Sequence, residues 1–173
     1  MAGPVLRSTG DSLPGTVVSG GQTGVDRAAL EVAIELGIPY GGWCPAGGWA
    51  EDRDRPPGLL EHFPKLRETP SSDPTQRTEW NVRDSDATLV LKPRGVESPG
   101  TLLSEEFARG LHRPLLRLDP GDRGAAEAAA RFIAENCPGG RLNVAGPRES
   151  GAPGVYGAAR LLLEALLGSE APS

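Results

Sequence analysis

The loop from Ser19 to Gly24 has the residue types that can bind an anion. It follows a short apolar segment and precedes a helical pattern. Its glycines remove Cβ atoms where a phosphate must approach the backbone, and the remaining side chains add polar groups; these residues are Gly20, Gly21, Gln22, Thr23 and Gly24. The loop is neither a Walker sequence nor a regular G-x-G-x-x-G, so it could equally be a tight strand-to-helix turn.

Two later loops occupy equivalent positions. Gly100 and Thr101 precede a helical segment, and Asn143 to Ser150, with Gly146 inside it, leaves an apolar strand. In a parallel α/β sheet, ligands bind at the carboxyl ends of strands, where helix N-termini present free N–H groups. Arg148 and Glu149 could bind a phosphate and orient a ribose or base, or form an ordinary exposed ion pair.

The segment from Arg77 to Asp86 is dense in hydrogen-bonding groups. If it is helical, Arg77, Asn81 and Asp84 share one face. That face could line a pocket, although a solvated helix face is the simpler interpretation.

Other kinds of catalytic and metal site have little support. The chain has only two histidines, His62 and His112, and no G-x-S-x-G motif, which disfavours a nucleophilic triad and zinc. We expect Cys44 to be a packed residue and no metal to be ligated by the protein. The acidic run of Glu51, Asp52 and Asp54 could hold a hard cation, but a solvated loop is favoured.

Short apolar strands alternate with helical patterns, which predicts an α/β fold with a mainly parallel sheet between helix layers. We expect Thr23 and Asp26 to cap the first helix, Gly37 to end it, and Thr101 to cap a later one. The predicted strands are 16–19, 38–43, 65–68, 87–91, 114–118 and 141–145, and the predicted helices are 25–36, 74–85, 101–111, 125–136 and 155–166.

Length and charge set the remaining expectations. The 173 residues suit one domain, which we place at 16–168, with a flexible arm at 1–15 and a tail at 169–173. The net charge of −5 disfavours nucleic-acid binding, and no apolar run is long enough for a membrane span. Two distant cysteines give no disulfide framework, so a cytoplasmic location fits best.

Taken together, the motifs resemble the molybdenum cofactor carrier proteins, which are circularly permuted members of the SLOG group of Rossmann-like nucleotide-binding proteins. The resemblance extends from Val17 to Leu167. Four ordered blocks carry it: Ser19 to Leu30, Gly41 to Pro45, Arg77 to Leu89 and Leu142 to Ser150.

This resemblance implies a doubly wound Rossmann-like fold with helices on both faces. It also implies a pocket for molybdopterin or a nucleotide, self-association as a dimer or tetramer, and molybdoenzymes as candidate partners. The phosphate-facing residues would be Gly20, Gly21, Thr23, Gly24, Gly100 and Thr101, and the polar wall would be Arg77, Asn81, Asn143, Arg148 and Glu149.

The chain departs from the family pattern after Cys44-Pro45. Gly48 stands where the family usually carries an arginine, and Arg53 stands where it carries the glycine of Ala-Glu-Asp-Gly. Arg53 or Arg55 could restore the missing charge from another angle.

Two rival functions remain open at the level of sequence. Pro99 to Glu105 partly resembles the P-G-G-x-G-T-x-x-E motif of related SLOG enzymes that cleave nucleoside monophosphates, which makes Glu105 and Glu149 candidate catalytic residues. Alternatively, the protein is a structural or interaction module whose glycine loops are only turns. The leading hypothesis is a non-catalytic carrier or sensor of a phosphorylated small molecule.

Overall fold

The computed structural model describes residues 13–168. The strands are β1 (Thr16–Val18), β2 (Tyr40–Gly41), β3 (Trp43–Cys44), β4 (Arg67–Glu68), β5 (Ala87–Leu91), β6 (Leu115–Leu118) and β7 (Arg141–Ala145). The helices are α1 (Val25–Glu35), α2 (Pro74–Arg83), α3 (Pro99–Gly110), α4 (Ala125–Asn136) and α5 (Val155–Leu167). Most of the predicted arm and the predicted tail lie outside the described residues.

The main sheet has five parallel strands in the order β2-β1-β7-β5-β6. The central strand β7 pairs with β1 and β5, with Leu142 opposite Val17 and Val144 opposite Leu89. Strands β3 and β4 form a separate parallel pair. The mainly parallel sheet predicted from the sequence is confirmed.

A single strand at 38–43 was a wrong prediction. Tyr40 and Gly41 pair with β1, whereas Trp43 and Cys44 pair with β4. Gly42 between them has a φ of 133°, and a side chain there would overlap the Ser19 backbone. The chain therefore leaves the sheet at Gly42 and continues into the second pair of strands.

The core lies between the sheet and three helices. Alternate residues of the central strands, including Leu89, Leu91, Leu142 and Val144, pack with the buried faces of α1, α4 and α5. Helices α2 and α3 contact each other on the other face of the sheet. The doubly wound arrangement with helices on both faces is thus present.

The predicted N-terminal caps of two helices, α1 and α3, differ from the structure. Helix α1 has Gly24 at its N-cap and no side-chain cap, because the Thr23 hydroxyl donates to Glu51 instead. Asp26 pairs with Arg77 rather than completing a capping box. Helix α3 begins at Pro99, so Thr101 lies within its first turn. The predicted stop at Gly37 is confirmed by a φ of 71° just beyond the end of α1.

The order of the strands creates a crevice. Neighbouring strands β5 and β7 lead into α3 and α5, which lie on opposite faces of the sheet. Ligands of open α/β sheets bind at such switch points, outside the carboxyl ends of the strands. Within residues 13–168, no helix is long and apolar enough to cross a membrane.

Candidate ligand-binding site

A cavity of about 280 Å³ lies in the crevice beyond β5 and β7. Its walls come from the loops after β1 and β7, the loop before α3 with the first turns of α3, and side chains of α1 and α2. The lining residues are Gln22, Asp26, Arg77, Thr78, Glu97, Ser98, Pro99, Gly100, Thr101, Ser104, Ala145, Gly146, Pro147, Arg148 and Gly151. We call it the switch-point cavity.

The N-terminus of α3 opens onto this cavity without a side-chain cap. Gly100 and Thr101 occupy the first turn, where N–H groups have no intrahelical acceptor. The hydroxyls of Ser98 and Thr101 are 2.6 Å apart. This end of the helix therefore combines free donors with the positive end of the helix dipole.

Arg77 and Asp26 form a mostly buried ion pair in the cavity wall. Arg77 Nη1 lies 3.2 Å from Asp26 Oδ2, and 16% and 4% of their side chains are exposed. Burial raises the pKa of Asp26, although the charge of Arg77 opposes that shift. Arg77 Nε is buried without a hydrogen-bond partner among the described residues, which leaves one donor of the pair unused.

The loop after β1 is tied to the segment that follows β3. Gln22 Oε1 accepts hydrogen bonds from the backbone N–H groups of Thr23 and Glu51, at 3.0 and 2.9 Å. The Thr23 hydroxyl donates to Glu51 and accepts from the Glu149 N–H at 3.2 Å. Thr23 therefore joins loops rather than lining the cavity.

Glu51 connects this segment to the loop after β7. Its Oε2 accepts from Ser150 Oγ at 2.6 Å and lies 3.5 Å from Arg148 Nη1. Burial acts to raise the pKa of Glu51, but hydrogen bonds from Ser150 and Thr23 and the charge of Arg148 outweigh it, so the pKa lies below its ordinary value. The carboxylate is thus held ionised between two loops.

Asp52 forms a second tie. Both of its oxygens accept from Arg27 at 2.8 Å, and Arg27 Nε donates to the Gly21 carbonyl at 3.1 Å. The hydrogen bonds from Arg27 lower the pKa of Asp52. In the described part of the chain, no group of three or more histidine, cysteine or acidic residues could hold a metal ion. Glu51 and Asp52 fasten their segment to the first loop and to α1.

The segment from Cys44 to Leu66 has its own small core. Cys44, Leu59, Phe63 and Leu66 pack with Leu30 of α1. Burial raises the pKa of the Cys44 thiol to about 11, an effect to which the charge of Glu68 adds. The prediction that Cys44 is a packed residue is confirmed. Arg53 and Arg55 do not line the switch-point cavity.

The loop after β7 passes close over the start of α1. A side chain at Gly24 would overlap the Pro147 carbonyl, and one at Gly146 would overlap Val25 and the Leu91 carbonyl. Val25 N–H donates to the Pro147 carbonyl at 3.3 Å. These glycines therefore permit loop packing at the N-terminus of α1.

The neighbouring side chains of Arg148 and Glu149 have different surroundings. The Arg148 side chain is 46% exposed and lines the cavity. The Glu149 carboxylate accepts from the N–H groups of Gly154 at 2.6 Å and Tyr156 at 2.9 Å. Glu149 therefore stabilises the start of α5, with both of its oxygens engaged.

The residues predicted from the sequence thus separate into two groups. Those that line the switch-point cavity are Gln22, Arg77, Gly100, Thr101, Gly146 and Arg148, and those that do not are Gly20, Gly21, Thr23, Gly24, Asn81, Asn143 and Glu149. Asn81 bonds both the N–H and the carbonyl of Trp43, at 2.7 and 3.0 Å. Asn143 donates to Thr88 Oγ1 at 3.3 Å inside the sheet.

Glu105 lies beside a neighbouring cavity of about 340 Å³. This cavity shares Glu97, Ser98, Pro99 and Thr101 with the first. Glu105 is 3% exposed, and its Oε1 has no hydrogen-bond partner among the described residues. Arg117 Nη1 lies 3.6 Å from Oε1 and Arg109 Nη2 lies 3.7 Å from Oε2, so both arginines form ion pairs with the carboxylate that are too long for hydrogen bonds.

Sequence reasoning missed several lining residues, of which Asp26 is the most informative. The sequence predicts Asp26 as part of a capping box because it lies three residues after Thr23. Its partner Arg77 is 51 residues away in the chain, and no local pattern indicates that pairing. Ser104 lies one turn after Gly100, and its hydroxyl donates to the Gly100 carbonyl at 3.2 Å; helical spacing could have found it.

Comparison with known proteins identifies the family. A solved structure from Syntrophus aciditrophicus SB, named "Putative molybdenum carrier protein", is 42% identical, with a TM-score of 0.75 over 89% of this chain and 95% of that one. A comparison with curated proteins gave no match. Residues 17–167 match the family described as "Circularly permutated YpsA SLOG family". The chain therefore belongs to the circularly permutated YpsA SLOG family.

Proposed function

We propose that the protein binds a phosphorylated small molecule, a nucleotide or the molybdenum cofactor, in the switch-point cavity. The observation that carries this proposal is the uncapped N-terminus of α3, which opens onto the cavity that Arg77 and Arg148 also line. A helix N-terminus and arginine donors are both favourable partners for a phosphate.

The phosphate is assigned to α3 rather than to α1. The first N–H of α1 already donates to Pro147, and the loop after β7 passes over Gly24. At α3, by contrast, a side chain on Gly100 would meet no atom within 4 Å. The open approach to Gly100 leaves room for phosphate oxygens beside the N–H groups of Gly100 and Thr101.

The rest of the ligand could extend into the neighbouring cavity. The neighbouring cavity shares the segment from Glu97 to Thr101, so a ring could reach Glu105 while the phosphate stays on α3. The resemblance to a protein named "Putative molybdenum carrier protein" supports the molybdenum cofactor as the cargo and a carrier role. We propose in addition that the carrier self-associates. Light scattering of the purified protein would test that self-association.

Calorimetric titration tests the binding proposal. The full chain is titrated with AMP, ADP-ribose, molybdate and molybdenum cofactor, and Arg148→Ala is compared with Arg131→Ala on the exposed face of α4. Loss of a charged hydrogen bond costs roughly 1.5–3 kcal/mol, so Arg148→Ala should weaken binding at least about tenfold. Equal affinities in the two variants, or no binding of any phosphorylated ligand, would contradict the proposal.

Glu105 favours a second candidate function, hydrolysis of a nucleoside monophosphate. Its Oε1 has no hydrogen bond among the described residues, although Arg117 lies 3.6 Å away, and it could orient or activate a water beside a ribose that lies between the two cavities. The test is release of free adenine from AMP by wild type and Glu105→Gln. Release that Glu105→Gln abolishes supports an enzyme, whereas unchanged AMP with measurable binding supports a carrier.

A further inference from the structure

A separate polar cavity of about 410 Å³ lies at the opposite end of the sheet. Tyr40 and Arg141 are the first residues of β2 and β7, whereas the switch-point cavity lies beyond the last residue of β7. We call it the basic cleft and define it by Tyr40, Trp43, Lys65, Arg67, Asp84 and Arg141. Its volume lies within the roughly 300–1,000 Å³ of small-molecule sites.

The three cations of the cleft have no carboxylate partner within 4 Å among residues 13–168. Lys65 Nζ lies 5.4 Å from the centre of the Tyr40 ring, and the Arg67 guanidinium lies 6.0 Å from the centre of the Trp43 ring. Arg141 Nε donates to the Asp84 backbone carbonyl at 2.8 Å. Each cation is therefore held in place without a carboxylate in direct contact.

Two carboxylates near the cleft are already engaged. The Asp84 carboxylate is bonded by Arg83 at 2.8 and 3.0 Å and by Trp43 Nε1 at 2.8 Å. The hydrogen bonds from Arg83 lower the pKa of Asp84, so it is ionised and paired. Asp86 accepts from the Arg141 backbone N–H at 2.8 Å. The charge of Arg141 also acts on Asp84, but Lys65, Arg67 and Arg141 make no ion pair within 4 Å among residues 13–168.

Tyr40 and Trp43 form an aromatic wall of the cleft, and α2 fixes the position of Trp43. Asn81 bonds the backbone of Trp43 on both sides, and the Trp43 and Trp80 rings meet edge to face with centres 4.8 Å apart. A fixed wall reduces the ordering cost of binding. It also places two tryptophans where they can report on an occupant of the cleft.

We propose that the basic cleft is a second anion site that binds a diphosphate or triphosphate group, either free or carried by a nucleotide. Three like charges around one cavity repel one another, and a polyanion would relieve that repulsion. The one carboxylate among the residues that define the cleft, Asp84, is paired with Arg83, so the three cations give the cleft a positive charge on a chain whose net charge is −5. The guanidinium groups add bidentate donors suited to phosphate oxygens.

The test isolates the cleft from the switch-point cavity. Pyrophosphate and ADP are titrated by calorimetry into Arg148→Ala, which weakens the first site. The same ligands are followed by tryptophan fluorescence in the Trp49→Phe background, where Trp43 and Trp80 report. Both ligands should bind and change the tryptophan fluorescence. The double variant Lys65→Ala/Arg67→Ala should weaken their binding at least about tenfold, because it removes two charged contacts.

Arg131→Ala is the control for loss of an exposed cation and should leave the affinities unchanged. Equal binding of pyrophosphate and ADP indicates a site for the phosphates alone, whereas tighter ADP binding indicates contact between the base and the aromatic wall. Arg141→Gln provides an independent variant if the double variant fails to fold by circular dichroism. Wild-type affinity in both cleft variants, or no saturable binding in Arg148→Ala, would overturn the proposal.

Discussion

The guanidinium of Arg77 occupies the space that a side chain at Gly20 would need. Gly20 comes from the loop after β1 and Arg77 from α2, so this glycine lets an arginine from the other face of the sheet reach Asp26. The absent Cβ makes room for a protein cation that lines the switch-point cavity. This arrangement differs from the direct phosphate contact that the glycine pattern predicts.

Gly20→Ala should shift the Arg77 guanidinium without breaking its ion pair with Asp26, and should weaken ligand binding, with a stability loss of about 1 kcal/mol because the nearest atoms belong to the end of a flexible side chain. Gly24→Ala should cost more, at least about 2 kcal/mol, because its φ is 80° and its Cβ would overlap the Pro147 backbone. Urea unfolding of both variants measures the difference. Gly157→Ala on α5, with no atom within 4 Å of the added carbon, is the control. A Gly20→Ala loss as large as that of Gly24→Ala would contradict this explanation.

Much of the fold could be predicted because local patterns determine it. Every residue of Ala87–Leu91 is buried, as a continuous apolar run between helical segments indicates. Helix α4 occupies the predicted residues because glycine and proline bound an alanine-rich segment. The alternation of such segments is sufficient to predict a parallel sheet.

The site was harder to predict because its contacts join distant residues. Thr23 meets Glu51 and the backbone of Glu149, and Asn81 meets Trp43, 38 residues away. Polar residues in a loop look alike in sequence whether they face a ligand or fasten another loop. The role of each residue depends on which loops lie next to one another at the switch point. That arrangement is set by the folded sheet and is not visible in the local sequence.

Asn81→Ala should destabilise the protein by about 2–3 kcal/mol, because it removes two hydrogen bonds to the Trp43 backbone and leaves those groups unpaired. Asn136→Ala, at the exposed end of α4, should change stability by less than about 0.5 kcal/mol. Chemical denaturation of both variants provides the measurement. A stable Asn81→Ala variant that no longer binds ligand would instead favour the role in the pocket wall predicted from the sequence.

Glu51 should make stability depend on pH on the acid side. Its pKa is lowered in the folded protein, so its contribution is complete above the ordinary value of 4.5 and is lost as the pH falls through the lower folded value. The stability difference between wild type and Glu51→Gln should therefore shrink below about pH 4.5. Asp26, whose pKa is raised, titrates alike in both proteins and cancels. Urea midpoints at neutral and acid pH test this prediction, and a difference that stays constant with pH would contradict it.

Glu149→Ala should affect stability more than binding, the reverse of Arg148→Ala. The Glu149 carboxylate accepts two N–H groups at the start of α5, and loss of such a cap costs about 1–2 kcal/mol. Arg148 is half-exposed and lines the cavity, so its removal should cost affinity and little stability. Glu135→Ala, an exposed carboxylate on α4, is the control. Thermal unfolding and ligand titration on the same samples separate the two effects. A Glu149→Ala variant with unchanged stability and abolished binding would instead make this residue a ligand contact.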